Sequence, residues 1–319
     1  MTIPARAHFC WIGTRLPWAY VFAILSAAER SELPDIVLHH TDPLEEGPEL
    51  QALRRAQGVR PSLVDPLLLL AETGAALGVG EALAEIYKLQ DSPVKRADIL
   101  RAAILYREGG IYLDLDTVTI ASLRPLLDLK QFVGSEFVVW PQAVRRSRSP
   151  LVWARCLSLD MARKALRLAP GGWKAFRRIE RFYFRGVNNA VMGAEPVSPL
   201  LAQYLRLMLS VPPERQAEPY ALGPDLLQAV VDDYRRDDLA VQPPHFFYPL
   251  PPEISEHWFR LRRSVRLDKM LLSETRVAHW YASVRTRSRV AQIDPAYVRR
   301  HRDHQFYSAL VCACIRNLP

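Results

Sequence analysis

The stretch that decides the fold is Ile111-Tyr112-Leu113-Asp114-Leu115-Asp116, an apolar segment that ends in two carboxylates one residue apart. Side chains alternate between the faces of a strand, so Asp114 and Asp116 are predicted to share a face with Tyr112, opposite the three aliphatic side chains. Neighbours on one face lie about 6.6 Å apart, too far to share a proton but close enough to approach one divalent cation and its bound phosphates. This spacing predicts a metal and diphosphate site, and therefore an enzyme.

The residues around this stretch indicate that the strand is buried. It follows Gly109-Gly110 and continues into Val118 and Ile120, and its acids stand only at the C-terminal end. Burying two carboxylates without a cation would be costly. A metal site is therefore favoured over a pair of exposed surface acids.

The N-terminal part of the chain predicts a βαβ unit. Residues 7–13 have the pattern of a short buried strand, residues 18–30 that of a helix and residues 34–40 that of a second strand. This order implies an α/β fold with parallel strands, in which ligands bind beyond the carboxyl ends of the strands.

The helix that precedes the acidic stretch has clear sequence signals. Ser92 is a candidate N-cap with Pro93 at the first helical position, and the pattern predicts a helix to Glu108. Its apolar stripe is Val94, Ala97, Leu100, Ile104 and Leu105. Asp98 and Arg101, three residues apart, are expected to be neighbours on an adjacent face.

The remaining chain predicts one domain over residues 1–319, without an internal repeat or flexible linker. Strands are expected at residues 132–137, 186–194 and 276–280, helices at residues 199–209 and 224–234, and extended chain at residues 242–252. Helical insertions are expected at about 44–90 and 140–185, and a basic C-terminal extension at about 285–319.

The composition is that of a globular protein, with 49% hydrophobic and 24% charged residues in a chain of 319. No apolar run approaches the ~20 residues that cross a bilayer, and the N-terminus lacks the features of a signal peptide. We therefore expect a cytoplasmic protein, with its cysteines reduced.

The net charge of +8 comes mainly from arginine, in clusters at residues 145–148, 177–185, 260–266 and 285–302. Such clusters suit anionic lipid, an anionic acceptor or nucleic acid, and they also occur on a simply solvated exterior. Peripheral contact with the inner face of a membrane through these segments stays open, while acids in a cleft would repel a nucleic acid.

Several blocks of the chain together resemble the glycosyltransferases that contain the DXD sugar-binding motif. The blocks are residues 8–13 (HFCWIG), 92–101, 108–116, 188–194 (NNAVMGA), Gly223-Pro224 and 278–283 (AHWYAS). The family includes initiating α-1,6-mannosyltransferases, capsular polysaccharide and lipooligosaccharide sugar transferases, α-1,4-sugar transferases and, more distantly, the clostridial glucosylating toxins. The resemblance implies a GT-A (Rossmann-like) fold with a mixed central sheet and inserted helices.

The resemblance also implies the cofactors and the core of the site. The donor would be a nucleoside-diphosphate sugar, carrying uridine or guanosine, with Mn²⁺ or Mg²⁺ as the metal ion. Asp116 would bind the metal, and Asp114 would contact the donor and share the ion. His279 would be their partner at the metal or diphosphate. Asp98 would hold sugar hydroxyls, and Arg101 would neutralise charge or position the sugar.

Further residues are assigned to the donor in the same way. The base would lie at Trp11, with Ile12 and Gly13 beside it. The other donor-binding positions implied by the matching blocks are Tyr112, Asn188, Asn189 and Ser283, with Asn189 near the reacting carbon. Where relatives often carry asparagine or glycine, this chain has Tyr281-Ala282.

The resemblance implies a retaining transfer to a hydroxyl acceptor, which could be a glycan, a lipid-linked oligosaccharide or a small natural product. Two alternatives stay open. Asp114-Leu115-Asp116-Thr117-Val118 partly matches the nucleophile strand of haloacid-dehalogenase-like phosphohydrolases, although that motif normally ends the first strand of its fold. A non-catalytic carbohydrate-binding or nucleic-acid-binding protein would leave the acid pair without a role.

Overall fold

The structure, a computed structural model, describes residues 2–145, 147–216, 218, 220–284 and 286–319, without the side chains of residues 142 and 143. Arg146 and Arg285, which belong to two of the predicted basic clusters, lie outside the described residues. No helix within these ranges is both long and apolar enough to cross a membrane.

The strands follow the chain in nine segments within the described ranges. They are β1 (Arg6–Trp11), β2 (Asp35–His40), β3 (Val59–Leu63), β4 (Gly110–Leu113), β5 (Thr117–Thr119), β6 (Gln131–Val138), β7 (Phe184–Ala194), β8 (Leu239–Gln242) and β9 (Val277–His279).

The α-helices lie between and after these strands. They are α1 (Trp18–Arg30), α2 (Pro48–Arg55), α3 (Pro66–Leu77), α4 (Ala82–Leu89), α5 (Pro93–Glu108), α6 (Gln142–Arg145), α7 (Pro150–Leu168), α8 (Gly172–Ile179), α9 (Pro199–Ser210), α10 (Pro213–Gln216), α11 (Pro224–Asp233), α12 (Pro244–Phe247), α13 (Leu267–Met270), α14 (Arg287–Val290), α15 (Pro295–His301) and α16 (Phe306–Cys314). Short 3₁₀ helices occupy Arg124–Asp128, Glu180–Phe182 and Pro252–Trp258.

The central sheet is mixed, in the order β3-β2-β1-β4-β7-β6-β8. Strands β3, β2, β1 and β4 run parallel, β7 is antiparallel to both β4 and β6, and β8 is parallel to β6. Strands β5 and β9 form a separate antiparallel pair. The predicted α/β fold with a mixed central sheet and inserted helices is confirmed.

Both faces of the sheet are covered by hydrophobic layers. Ile111 and Leu113 of β4 lie in one layer, which includes α1 and α16, and Tyr112 lies in the other, which includes α5 and α9. The predicted alternation of these three side chains is therefore confirmed. Two-sided burial explains why β4 is almost wholly apolar.

The turn from α5 into β4 depends on two glycines. Gly109 and Gly110 have φ values of +64° and +105°, which a residue with a Cβ atom rarely adopts. A Cβ on Gly110 would lie 2.9 Å from His8 Nε2, and one on Gly109 would lie 2.7 Å from Pro196. The Gly-Gly pair therefore lets the helix reverse directly into the central strand.

Several local predictions were wrong. Residues 59–63 form the parallel edge strand β3 inside a segment expected to be mostly helical. Part of the segment expected to be extended, residues 244–247, is helical. Val94 is 58% exposed rather than part of the buried stripe. The predicted helix from Pro93 to Glu108 with Ser92 at its N-cap is confirmed, although the Ser92 side chain makes no capping hydrogen bond within the described structure.

Candidate active site

The acidic stretch leaves the sheet earlier than predicted. Strand β4 ends at Leu113, and the chain turns at Leu115 and Asp116 before β5 begins. The Asp114 amide donates to the Ala190 carbonyl (2.8 Å), and the Thr117 hydroxyl donates to the Asp114 carbonyl (2.7 Å). The prediction that a continuous strand carries both acids was therefore wrong, because a hydrogen-bonded turn presents them instead.

This turn nevertheless brings the predicted metal-binding groups together. Ligand atoms of Asp114, Asp116 and His279 all lie within 4.8 Å of one another. Pairing of β5 with β9 places Thr117 opposite His279, which carries the imidazole to the acids from a distant part of the chain. Residues 163 positions apart thus meet beyond the carboxyl end of β4.

Asp116 is held in its ionised form. His279 Nε2 lies 2.8 Å from Asp116 Oδ1, and the Ala282 amide donates to Oδ2 at 2.7 Å. Burial opposes ionisation of Asp116, but the charge and hydrogen bond of His279 outweigh it and lower the pKa of the carboxyl. Burial likewise disfavours the His279 imidazolium, yet Asp116 raises the pKa of the histidine.

Arg101 joins the second acid to the helix α5. One guanidinium nitrogen lies 3.1 Å from an Asp114 oxygen and 3.3 Å from Asp98, and another donates to the Asn189 carbonyl at 2.8 Å. The guanidinium carbon also lies 4.8 Å from the centre of the Tyr112 ring, whose hydroxyl donates to Asp114 at 3.0 Å. Arg101 therefore orients Asp98 and Asp114, the two carboxyls that form the acidic wall of the site.

The carboxyls of this wall are harder to ionise than Asp116. Burial raises the pKa of Asp114 to about 6; Arg101 opposes the rise and the nearby Asp116 charge adds to it. Burial also raises the pKa of Asp98, against the opposing effects of Arg101 and Asn189. Clustered acids with one guanidinium form an electronegative wall that favours a bound cation.

Asn189 and Gly223 complete the surroundings of Asp98. The Asn189 side chain donates to Asp98 at 2.8 Å. Gly223 precedes helix α11, and a Cβ at this position would lie 2.9 Å from Asp98 Oδ2 and 3.3 Å from Asn189 Nδ2. The Gly223-Pro224 block thus contributes close backbone approach to the acid.

A bulge in β7 makes this arrangement possible. Along the β6–β7 pair, Val133 lies opposite Met192, but the next residue, Gly134, lies opposite Asn188. The intervening part of β7 is released from β6, and there the Asn189 carbonyl meets Arg101 and the Ala190 carbonyl meets the Asp114 amide. Bulges commonly redirect backbone groups beside active sites in this way.

Glu136 is a buried acid of the site that the sequence prediction missed. It accepts hydrogen bonds from the Tyr281 hydroxyl (2.6 Å) and the Asn188 side chain (2.9 Å), while Asn188 accepts from the Ala190 amide at 2.7 Å. Burial raises the pKa of Glu136, against these hydrogen bonds. The available signal was a single acid within the apolar strand β6.

Tyr281 occupies a backbone conformation that is unusual for its residue type, with φ of +58°. Glycine and asparagine adopt this left-handed region more readily. The conformation directs the Ala282 amide to Asp116 while the tyrosine hydroxyl reaches Glu136. A strained residue at a site of this kind is a common mark of function.

The residues predicted to hold the base lie at the end of β1. The Trp11 ring is 5.3 Å from Tyr20, which lies 6.5 Å from Trp280. Trp11 Nε1 is buried and has no hydrogen-bond partner in the described part of the chain. Ile12 is half-buried, and the Gly13 amide donates to Asp42 at 2.9 Å. Ser283 is exposed, just beyond the turn at Tyr281.

The donor set fits a hard divalent cation. Two carboxylates and one imidazole suit Mn²⁺ or Mg²⁺, with further positions left for phosphate or water. Each Asp116 oxygen already accepts one hydrogen bond and keeps a second lone pair for an ion. His279 Nδ1 is buried and has no hydrogen-bond partner among the residues that the structure describes, so these residues do not saturate the imidazole.

Comparison with known families agrees with this chemistry. Residues 73–133, which contain Asp98, Arg101, Asp114 and Asp116, match the model of the glycosyltransferase sugar-binding region containing DXD motif. This match confirms the predicted resemblance and the prediction of a glycosyltransferase. Glycosyltransferases with this motif use a divalent metal ion and a nucleotide sugar.

Solved glycosyltransferase structures are also similar to the chain. The PaToxG glycosyltransferase is 15% identical, over 72% of this chain and 68% of that chain, with a TM-score of 0.42. The UDP-bound glycosyltransferase domain from the YGT toxin is 10% identical over 76% and 80%, with a TM-score of 0.44. Mouse xyloside xylosyltransferase 1 is 12% identical over 86% and 98%, with a TM-score of 0.45. No curated protein matches the chain in sequence.

Proposed function

We propose that the protein is a metal-dependent, retaining glycosyltransferase that moves a sugar from a UDP- or GDP-sugar to a hydroxyl acceptor. The observation that supports this most is the convergence of Asp114, Asp116 and His279 beyond β4, within and beside the segment that matches the sugar-binding region. The single domain over residues 1–319 is part of this proposal.

In the proposed site, Asp116, Asp114 and His279 hold Mn²⁺ or Mg²⁺. The bound ion would neutralise negative charge on the donor diphosphate. The Ala282 amide keeps Asp116 oriented through its hydrogen bond to Oδ2, and loss of the proton from His279 would free its Nε2 lone pair as a ligand. The ligand set thus draws on residues that are far apart in the sequence.

The remaining residues act on the donor sugar and the base. Asp98, held by Asn189 and Arg101, accepts hydrogen bonds from sugar hydroxyls, and Arg101 fixes that acid and Asp114 in place. Tyr112 and Asn188 line the donor, and Trp11 with Ile12, Gly13 and Ser283 forms the side that receives the base. An aromatic face suits either uracil or guanine.

Transfer breaks the bond between the sugar anomeric carbon and the diphosphate oxygen and forms a bond to the acceptor oxygen. The acceptor hydroxyl loses its proton to the departing diphosphate, whose growing charge requires electrostatic stabilisation. We propose attack on the same face that the diphosphate leaves, so no residue is assigned as a nucleophile. Determination of the product anomer by NMR tests this, and an inverted product would contradict it.

The acceptor in this proposal is a glycan, a lipid-linked oligosaccharide or a small molecule, and the protein acts in the cytoplasm or at the inner face of a membrane. The electronegative wall of the site disfavours a phosphodiester acceptor such as a nucleic acid. A thermal-shift screen of UDP- and GDP-sugars with Mn²⁺ would identify the donor.

Asp116→Ala provides the decisive test of the metal site. We expect Mn²⁺-dependent hydrolysis of the identified donor to fall by about 100-fold or more, because loss of a charged ligand removes stabilisation of the leaving diphosphate. Calorimetry should also show weaker Mn²⁺-dependent nucleotide binding.

Asp91→Ala serves as the matched control. It removes a carboxylate of the same size, and the Asp91 side chain is 85% exposed. Unchanged nucleotide binding in Asp116→Ala, together with no metal-dependent hydrolysis of any nucleotide sugar by the wild type, would exclude the proposal. Release of phosphate from simple phosphate esters would instead support a phosphohydrolase.

A further inference from the structure

Helix α7 exposes an unusually apolar face. The side chains of Leu151, Leu157, Met161 and Leu168 are 80%, 52%, 71% and 67% exposed. Single exposed apolar residues are ordinary, but a row of four large ones along one helix is not. This row spans nearly the full length of a helix of 19 residues, about 28 Å at 1.5 Å per residue.

The row forms a continuous stripe. At 100° per residue these four side chains, with the exposed Ala154 and Ala165, occupy an arc of about 120°. Arg155 falls just beyond one edge of the arc and Lys164 just beyond the other, and both are exposed. The exposed Ser158 also falls within this arc, so the stripe is mainly apolar in the middle, with one hydroxyl, and basic along both borders.

The opposite face of α7 carries charges toward the protein. The buried Asp160 pairs with Arg163 and with Lys164, whose ammonium lies 2.7 Å away, and Arg163 also pairs with Glu253. An ordinary surface helix turns its apolar side inward and its charges outward. This helix also packs apolar side chains inward, since Leu159 and Leu166 lie against the core. It differs in adding buried charges to that inner face and in exposing a second apolar row outward, so its outer face is suited to meet something other than water.

The charge of the surrounding segment identifies the chemistry of the partner. Residues 141–185 contain twelve basic and two acidic residues, a net charge of +10, whereas the whole chain carries +8. The rest of the chain is thus slightly acidic, and the entire basic excess lies in this insertion. Both acids of the insertion are already paired, Asp160 within α7 and Glu180 with His245 at 2.8 Å.

A neighbouring turn extends the stripe. The Arg155 guanidinium donates to the Phe182 carbonyl at 2.8 Å, and Arg181 lies 4.9 Å from the Phe182 ring centre. The Phe182 side chain is 47% exposed. An aromatic ring with two arginines therefore adjoins the N-terminal half of α7.

We propose that the outer face of α7, with Phe182, docks on an anionic lipid bilayer. Apolar side chains would enter the headgroup boundary while the flanking arginines and lysine contact acidic headgroups, which is how interfacial helices bind membranes. Strands β6 and β7, which enter and leave this insertion, also carry Glu136 and Asn188 of the site. The suggestion that the acceptor is lipid-linked rests on the proposed function. The membrane contact itself does not depend on catalysis.

Co-sedimentation with vesicles tests the proposal. We expect the full chain to bind vesicles of phosphatidylcholine mixed with phosphatidylglycerol and not vesicles of phosphatidylcholine alone. In the double variant Leu151→Ser and Met161→Ser, binding should weaken by about tenfold for each side chain removed. Arg155→Gln with Arg181→Gln should weaken it by about fivefold for each charge.

The matched control is Leu68→Ser with Leu89→Ser, two substitutions on other helices at side chains that are 58% and 72% exposed. Its binding should equal that of the wild type. All three variants should keep wild-type hydrolysis of the nucleotide sugar in solution, so that failure of the transferase and failure of docking are separate results.

Equal binding by the control and the α7 double variant would overturn the proposal, as would equal binding to both kinds of vesicle. A change from dimer to monomer in the α7 variant, without vesicle binding by the wild type, would instead assign the stripe to a second copy of the chain. Binding to single-stranded DNA but not to vesicles would assign it to nucleic acid.

Discussion

Arg101 is the residue on which the acidic wall of the site depends. It is almost fully buried and contacts Asp98, Asp114 and the Asn189 carbonyl. A buried guanidinium is stable only because these groups compensate for its lost hydration, and they in turn rely on its charge.

Arg101→Ala is therefore expected to lower the free energy of unfolding by about 3–5 kcal/mol, because it leaves buried carboxylates without their cation. Urea unfolding without added metal measures this. Arg107→Ala on the same helix is the control, since its ion pair with Glu72 is well exposed and should contribute about 1 kcal/mol or less. Equal effects of the two changes would contradict the assigned role of Arg101.

At the scale of single residues, the site positions that belong to strong sequence motifs were predictable, whereas those that depend on tertiary contacts were not. Asp98, Arg101 and Asp114 lie close together as expected. Glu136 was missed because a lone acid in a strand has no local partner to mark it. Tyr281 shows the same limit, since only the folded turn reveals its left-handed backbone.

At the scale of elements, the start of helix α11 has a direct effect on the site. Gly223 is the N-cap residue of α11, and Pro224 follows it. Its backbone lies so close to Asp98 and Asn189 that even a methyl group would displace them.

Gly223→Ala is expected to reduce kcat/KM for the nucleotide sugar by about 10- to 100-fold, because small displacements of positioning groups are costly to catalysis. Steady-state hydrolysis rates measure the effect. Gly47→Ala is the matched control: Gly47 also stands before a proline-initiated helix, but a Cβ there would meet only the end of the Glu49 side chain at 3.2 Å. A variant at position 223 with wild-type kinetics would refute the proposed role of Asp98.

Long elements with strong patterns were predictable, and short ones set by their neighbours were not. Helices α1 and α5 and strands β6 and β7 follow from periodicity and end signals. Strand β3 was missed because it is short and contains Pro61, a residue that only an edge strand tolerates. Its existence depends on the free edge of β2, which no local pattern reveals.

At the scale of the whole molecule, a buried histidine pair connects the sheet to helix α5 and its turn. His8 Nε2 donates to the Gly109 carbonyl at 2.8 Å, and His8 Nδ1 lies 2.9 Å from His39 Nε2. Burial lowers the pKa of His8 to about 4 and that of His39 to about 3. Both imidazoles are thus neutral in the folded protein at neutral pH.

The free energy of unfolding should therefore fall as the pH drops below about 6.5, since the unfolded chain then binds protons that the folded chain excludes. At about pH 5 the loss should reach about 2 kcal/mol for each histidine. Above the ordinary histidine pKa, the two histidines should make their full contribution to the free energy of unfolding. This contribution should decline as the pH falls toward the histidine pKa values of the folded protein.

Urea unfolding across this pH range tests the prediction, with His39→Gln expected to remove the loss of about 2 kcal/mol that His39 contributes at about pH 5. His257, whose pKa burial lowers to about 4, and buried acids such as Asp98 and Glu136 are present in both the wild type and the variant. The difference between the two curves therefore isolates the contribution of His39. His304→Gln, at an exposed histidine, should leave the curve unchanged. An identical pH dependence in His39→Gln and the wild type would contradict the assignment.

The bulge in β7 also makes the two ends of the β6–β7 ribbon independent. The inner end is held by β4, which pairs with residues 191–194, whereas residues 184–188 pair with β6 alone among the described strands. Because the residues between them absorb the offset, a change in the outer arm need not alter the strand register of the central sheet. The segment that this arm carries is still anchored in the core by Trp173, Phe176 and Tyr183, so a graft that exchanges its exposed face would have to keep these three side chains.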